Sequence, residues 1–334
     1  MRGWKKAVAA GVLISAAWSL PAKAQSGSPS QPTSQSRDVG HPNSTPTHDD
    51  KAVVNGAPGA HALIRATPAI WRVKGAHGTL YLFGTIHIMK PNVEWETGKV
   101  KDAFTASDTV YVEVANLDDQ AAALPLAAQF GMDMAHPLST KITKEDVALL
   151  DTAAKSMGLP GEAMLEPMQP WLVTMSMSVL PMMKAGYDPA SGVDVVLLGE
   201  ARKAGKKISG FETMEQQLHF VADQPQAEQV ARLHEELAGM DKSAAEMSEM
   251  MAAWERGDVA KIAALETGEL KTKHPEEYKT LVVDRNTKWA ATLDDLLKDA
   301  GTGTVFVAVG AAHLAGDDSL IELLKKDGWV VARE

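Results

Sequence analysis

Two rhythms alternate along the chain. Short, almost unbroken apolar runs mark buried strands, and longer stretches with apolar residues three and four apart mark amphipathic helices. The apolar run at 81–83 passes into Gly84-Thr85-Ile86-His87, and the run at 305–309 passes into Gly310-Ala311-Ala312-His313. Each is a strand, a glycine, two small or apolar residues and an imidazole. Glycine allows a sharp turn or a close approach that a Cβ would forbid. Each histidine is thereby set just past the carboxyl end of its strand, where ligands collect in open α/β sheets. The two can meet only if their strands lie close together in one sheet.

The other elements follow in order. Residues 68–73 and 79–83, joined by a loop containing Gly75 and Gly78, predict a β-hairpin. Residues 96–106 predict a helix with Val100, Ala103 and Phe104 on one face. In the strand at 109–114, valines 110, 112 and 114 share one face while Tyr111 and Glu113 share the other. A carboxylate in so apolar a strand is costly to bury unless it is paired, protonated or metal-bound. Thr143-Lys144-Glu145-Asp146 predicts a capped helix, closed by Gly158 and Pro160. The helix at 171–185 carries Met175, Met177, Met182 and Met183, a residue type that fills irregular cores and also lines adaptable binding surfaces. Gly192-Val193-Asp194 opens another helix, and a short strand at 206–213 brings a second glutamate, Glu212. From 216 to 266 the pattern is helical with breaks at Asp223-Gln224-Pro225 and Gly257-Asp258, which predicts a helical cover. A helix at 278–298 carries Arg285 and Asn286; a helix at 317–326 and a strand at 328–331 close the chain. Helices alternating with strands make this an α/β chain.

Composition changes the picture at the N-terminus. Arg2, Lys5 and Lys6 precede an apolar run at 7–20, and Ala22-Lys23-Ala24 supplies a small-x-small cleavage site. Together these predict a signal peptide at 1–24 and a periplasmic or secreted mature chain beginning at Gln25. Residues 25–65, rich in Ser, Pro and Thr, predict a disordered linker, which leaves 66–334 as the folded domain. His41, His48 and His61 are scattered through that linker and are expected to be solvated. Cysteine is absent, so the core alone must hold the fold. Losing four basic leader residues and no acidic one takes the formal net charge from −10 to −14. That acidity argues against nucleic acid or an anionic membrane surface as the main partner. No later stretch is long and apolar enough to span a bilayer, so no stable membrane insertion is expected after leader cleavage.

Two histidines and one or two carboxylates at strand ends suit a divalent metal that activates water, with a further carboxylate as general base. Arg285 would then stabilise an oxyanion or a substrate carboxylate. A metal-free version uses His87 or His313 as the base and a glutamate to orient it. No HExxH, P-loop, GxSxG or GxGxxG pattern occurs.

The ordered set Gly84-Thr85-Ile86-His87, Glu113, Pro170-Trp171, Gly186-Tyr187-Asp188, Gly192-Val193-Asp194, Phe211-Glu212-Thr213, Gln217, Trp254-Glu255-Arg256-Gly257-Asp258, Arg285-Asn286 and Gly310-Ala311-Ala312-His313 resembles the TraB/GumN family. That family includes the Tiki proteins and is similar in fold to erythromycin esterases and ChaN-like proteins. The resemblance implies a central mixed sheet flanked by helices, with a helical insertion. From the Tiki branch it implies metal-dependent peptide hydrolysis, with His87, Glu113 and His313 holding Mn²⁺, Co²⁺ or Zn²⁺. Glu212 is then the base or a further ligand, and Arg285 the oxyanion stabiliser. The expected partner is a peptide or small-molecule substrate. A metal-free esterase-like hydrolase and a non-catalytic binder of a peptide, haem or polysaccharide-pathway ligand are the alternatives. N-terminal sequencing of the exported protein should return Gln25; a mature chain that keeps Met1 would contradict the cleavable leader.

Overall fold

Eight strands occur among residues 63–334, the part of the chain that the computed structural model describes. They are β1 (Ile64–Arg65), β2 (Ile70–Lys74), β3 (Thr79–Thr85), β4 (Val93–Glu94), β5 (Thr109–Val114), β6 (Lys207–Glu212), β7 (Thr304–Gly310) and β8 (Val331–Arg333). The predicted leader and almost all of the predicted linker lie outside the described residues. β1 and β4 form a small parallel pair, and β1 falls just ahead of the domain boundary expected at residue 66.

The other six strands form one sheet in the order β6-β5-β7-β3-β2-β8. β6, β5, β7 and β3 run parallel, while β2 is antiparallel to both β3 and β8. This is the α/β class that the alternation of elements predicts, with the mixed sheet and flanking helices that the family resemblance implies. The parallel part is sandwiched between helices, which is why β7 is apolar at successive positions rather than alternating. Val305, Val307 and Val309 face one layer with Leu80 and Leu82, packed by Trp289, Leu293, Leu297, Leu320 and Leu324. Phe306 and Ala308 face the other with Phe83, Val110 and Val112, packed by Val100, Phe104, Leu197, Leu198, Met250 and Trp254.

β3 and β7 are direct neighbours, paired from Thr79↔Thr304 to Thr85↔Gly310. The register sets Gly84 opposite Val309 and Gly310 opposite Thr85, so both Gly-x-x-His segments leave the same carboxyl edge. Gly84 is required by close approach, because a Cβ there would stand 3.0 Å from the Ala311 Cα. β5 lies inside the sheet, between β6 and β7, so Glu113 is carried into the interior rather than along a wet edge.

Two helical insertions cover this edge. Between β5 and β6 come helices Gln120–Gly131, Lys144–Ser156, Pro170–Lys184 and Val193–Lys203. The capping box expected at Thr143 is formed with Asp146, and Gly158 ends that helix at φ +85°. In Pro170–Lys184, Met175, Met177 and Met182 are buried as core, and Met183 is exposed. Between β6 and β7 come Met214–Ala222, the long helix Gln226–Glu255, and the short helices Val259–Glu266, Gly268–Lys273 and Pro275–Tyr278.

Three elements begin three or more residues later than the pattern-based expectation. The helix expected over 278–298 is split: Lys279–Val283 is a π-turn, and the α-helix proper is Asp284–Lys298. The helix expected from 317 starts at Leu320 because Ser319 caps it through the Glu322 amide. The last strand begins at Val331, where pairing to Val73 starts, rather than at Gly328, whose φ of +91° follows the helix. Among the described residues no helix is long and apolar enough to cross a membrane.

The long helix is fastened to the sheet by Trp254, which is 2 % exposed and donates from its indole N–H to the Gly84 carbonyl at 2.8 Å. Trp254→Phe should keep most of the packing and leave that carbonyl bare, costing about 1–3 kcal/mol. Trp254→Ala should cost about 3–5 kcal/mol. Urea unfolding measures both, and wild-type stability in Trp254→Phe would refute the role given to the hydrogen bond.

Candidate active site

The histidine after β3 is fixed by the helix that follows Gly192. The Val193 amide donates to the Ile86 carbonyl at 2.8 Å, and a Cβ on Gly192 would stand 2.3 Å from the His87 carbonyl oxygen. Only glycine allows this docking. The docking brings Asp194, in the first helical turn, under the imidazole: His87 Nδ1 meets Asp194 Oδ2 at 2.6 Å, and the Thr85 hydroxyl donates to the other carboxylate oxygen. His87 Nε2 is left facing away from Asp194 and makes no hydrogen bond with another described residue.

The histidine after β7 is fixed by the Asp284–Lys298 helix. Asn286 Nδ2 donates to the Asp318 carbonyl at 2.8 Å, which turns its Oδ1 toward His313 Nδ1 at 2.7 Å. An amide oxygen only accepts, so the proton of the neutral ring sits on Nδ1 and the lone pair on Nε2. That lone pair accepts from Arg285 Nη1 at 3.1 Å.

Arg285 occupies the middle of the site. Its Nη2 donates to Glu113 Oε2 at 2.6 Å and to Glu212 Oε2 at 2.9 Å, its Nε to Glu212 Oε1 at 2.9 Å, and its Nη1 also to the Leu281 carbonyl at 3.2 Å. The guanidinium lies 4.6 Å from the ring centre of Trp289. All five N–H donors therefore have partners inside the protein. Glu113 is equally engaged, with Oε1 accepting from the Gly310 amide at 2.7 Å and Oε2 from Gln217 Nε2 at 3.0 Å besides Arg285. Arg285 and Glu113 are 5 % and 4 % exposed, His87 and His313 8 % and 6 %.

These charges set the two imidazoles apart. Burial favours the neutral ring of His87, but the Asp194 carboxylate outweighs it and holds that ring up at about 9 against an ordinary 6.5. Burial and the Arg285 cation act together on His313 and push it down to about 3. Burial also opposes charge on Glu113, yet Arg285 overrides it and lowers the carboxyl to about 2. Two copies of one motif thus carry an imidazolium and a neutral imidazole at neutral pH.

A cavity of about 30 Å³ lies among them, lined by His87, Glu113, Arg285, Gly310, His313 and, from the cover, Glu266 and Leu281. It has room for a water or two. Burial raises the Glu266 carboxyl from 4.5 to about 8, with the charge on His87 opposing the rise. Unlike Glu113, Glu266 makes no hydrogen bond or ion pair with another described residue.

Of the residues expected at a site, His87, Glu113, His313 and Arg285 all reach this cavity. Glu212 is in the same network but outside the cavity lining, where it and Gln217 hold Arg285 from behind. The base and oxyanion roles expected of Glu212 and Arg285 are therefore not available in this arrangement: the first does not reach a cavity water and the second has no spare N–H. Asp194, Gln217 and Asn286 stood in the motifs without a role. Glu266 gave no signal at all, being one glutamate at the end of a short helix in a polar stretch.

No three His, Cys, Asp or Glu side chains among the described residues are grouped so as to hold a metal ion. Arg285 is the physical reason. It donates to His313 Nε2 and Glu113 Oε2, lone pairs through which a divalent ion would bind, and puts a cation there. As arranged, His87, Glu113 and His313 do not fit Mn²⁺, Co²⁺ or Zn²⁺. The outer partners of such a site are nonetheless in place, since Asp194 and Asn286 engage the two Nδ1 atoms and leave the Nε2 atoms facing inward.

Fold and site together define an α/β chain with two histidine-bearing strand ends joined by a buried Arg–Glu network. A family model for the TraB/PrgY/gumN family matches residues 69–333, and the chain belongs to that family. It is 22 % identical over 275 residues to an uncharacterized protein of Treponema pallidum (strain Nichols), covering 77 % of this chain and 80 % of that one. It is 24 % identical over 266 residues to the uncharacterized protein YbaP of Escherichia coli (strain K12), covering 77 % and 92 %. No solved structure matches.

The pH dependence of stability follows from the same shifts. In the unfolded chain His313 takes a proton below about 6.5, but in the fold not until about 3, so stability falls as pH drops across that window. Glu113 adds to the acid loss as pH falls from 4.5 toward about 2. His87 works the other way, its contribution complete below 6.5 and lost as pH rises through about 9. Glu266 likewise loses its contribution between 4.5 and about 8. Urea unfolding should show a plateau between 4.5 and 6.5 and a fall on either side. His313→Gln should make the acid limb shallower and His87→Gln the alkaline limb; limbs unchanged in both variants would contradict these assignments.

Proposed function

We propose that the protein is a hydrolase of amide or ester bonds in which Glu266 and His87 form the acid–base pair. One observation carries the reading. Of the two carboxylates that line the cavity, Glu113 is consumed by Gly310, Arg285 and Gln217, whereas Glu266 is unclaimed and shares the cavity with the unclaimed Nε2 of His87. Ionised Glu266 takes a proton from a cavity water, whose oxygen attacks the carbonyl carbon. The His87 imidazolium donates its Nε2 proton to the leaving group, and Asp194 holds the ring in place for that transfer. Glu113, Arg285, Glu212 and Gln217 fix the geometry. The cavity admits water but no peptide bond, so turnover requires the cover formed by 259–283 to move.

Metal-dependent hydrolysis through His87, Glu113 and His313 is a second reading, favoured by the way Asp194 and Asn286 hold the two Nδ1 atoms. It requires Arg285 to withdraw from His313 and Glu113.

A panel of fluorogenic peptides and p-nitrophenyl esters, assayed after dialysis against a chelator, separates the two. The acid–base reading predicts chelator-resistant turnover that rises with pH through about 8, as Glu266 ionises, and falls above about 9, as His87 loses its proton. Glu266→Gln should lose about 10²-fold or more in kcat while thermal unfolding near neutral pH is no lower than in the wild type, because the amide removes the cost of ionising a desolvated carboxyl. Wild-type turnover in Glu266→Gln, or activity that returns only with added Mn²⁺, Co²⁺ or Zn²⁺, would overturn it.

A further inference from the structure

We infer that the groove beside the cover receives an apolar side chain of a peptide substrate, with Leu281 as the gate between groove and catalytic cavity. The substrate class rests on the hydrolase reading, but the binding site does not.

The groove has a volume of about 390 Å³, with Trp171, Met175, Val221, Pro225, Pro275 and Leu281 forming its apolar surface. Leu281 belongs to both spaces, lining the groove on one side and the small cavity on the other. It sits in the π-turn Lys279–Val283, and its carbonyl accepts from Arg285 at 3.2 Å. π-turns interrupt regular helices and recur at functional sites. An occupant of the groove thus presses on a residue whose backbone touches the centre of the site. Phe220, next to Val221, lies 5.3 Å from the Arg285 guanidinium and packs against the cluster that contains Leu281.

The polar lining points to a peptide rather than a sugar or a lipid. Several charges at the rim are paired within the protein, Arg232 with Glu277 at 3.2 Å and His274 with Glu235 at 3.2 Å, so these offer few hydrogen bonds to a ring of hydroxyls. Both signs of charge at the mouth suit a neutral amide backbone better than an anionic lipid head. Gln229, also in the lining, is buried; its Nε2 donates to the Ala222 and Gln224 carbonyls while its Oε1 has no partner among the described residues. An acceptor left bare is costly, and a substrate N–H would satisfy it once the groove opens. An apolar surface with a few fixed polar groups is the usual make-up of a ligand pocket.

The test is titration of the wild-type protein with end-capped Ala-Ala-X-Ala-Ala peptides, read by tryptophan fluorescence and calorimetry, alongside cleavage of the same peptides. With X as Leu or Phe, affinity should exceed that with X as Gly or Asp by about tenfold or more. Filling the groove by Thr174→Trp, or from a second helix by Val221→Trp, should abolish the preference, with circular dichroism confirming the fold. Leu281→Ala should raise kcat/KM for bulky X without tightening binding. Selective binding lost in the filled variants but without cleavage supports the groove and counts against the hydrolase reading. Cleavage indifferent to X, binding unchanged in both filled variants, or no peptide binding with fatty acid bound instead overturns the proposal.

Discussion

Everything at the carboxyl edge of the sheet depends on the buried cation of Arg285. Burying a guanidinium is unfavourable unless counter-charges and hydrogen bonds surround it, and removing one partner of such a group is far more costly than never having built it. Here Glu113 from an inner strand and Glu212 from the edge strand supply the counter-charge, while His313 and the Leu281 carbonyl take the remaining donors. One side chain thereby ties β5, β6, the turn after β7 and the cover into a single arrangement. The Gly310 amide and Gln217 complete it by holding Glu113 and Glu212 in place. A carboxylate in the middle of an apolar strand is thus paid for twice, by a cation and by amide donors.

The same cation makes two similar motifs unequal. His313 lies against Arg285 and is held neutral; His87 lies against Asp194 and is held charged. Backbone proximity permits both arrangements. Gly192 lets one helix come within contact of the His87 carbonyl, and Gly310 leaves space that a Cβ would take, 3.2 Å from Glu113 and 3.3 Å from His87 Nε2. The site is accordingly a set of fixed charges around a cavity of water size, lined by one imidazole nitrogen, His87 Nε2, and one carboxylate, Glu266, that make no hydrogen bond with another described residue.

Much of this was legible in the chain. The apolar runs before Gly84 and Gly310 read as buried strands, each setting a histidine past its carboxyl end; that the two strands are direct neighbours was left as a condition, which the β3–β7 pairing meets. Glu113 was visible because a carboxylate among valines needs a partner, but Arg285 was read as an oxyanion stabiliser and not as that partner. The direction of the partnership was not visible: a metal and a guanidinium satisfy the same lone pairs, and only side-chain geometry shows the guanidinium in that place. Asp194 was recognisable as part of a motif but not as the group beneath His87, since that contact depends on how closely Gly192 lets the helix approach. The π-turn and Glu266 left no trace, because a turn with one extra residue and a glutamate on a short amphipathic helix look like ordinary solvated helix.

The most direct test of the account is histidine-selective nitrogen NMR of the folded protein near neutral pH, with His87→Gln and His313→Gln to assign the signals. The account predicts one buried imidazolium, His87, and one neutral ring with its proton on Nδ1, His313. A neutral His87 would contradict its pairing with Asp194, and a His313 protonated at both nitrogens would contradict the placing of Arg285 against its Nε2.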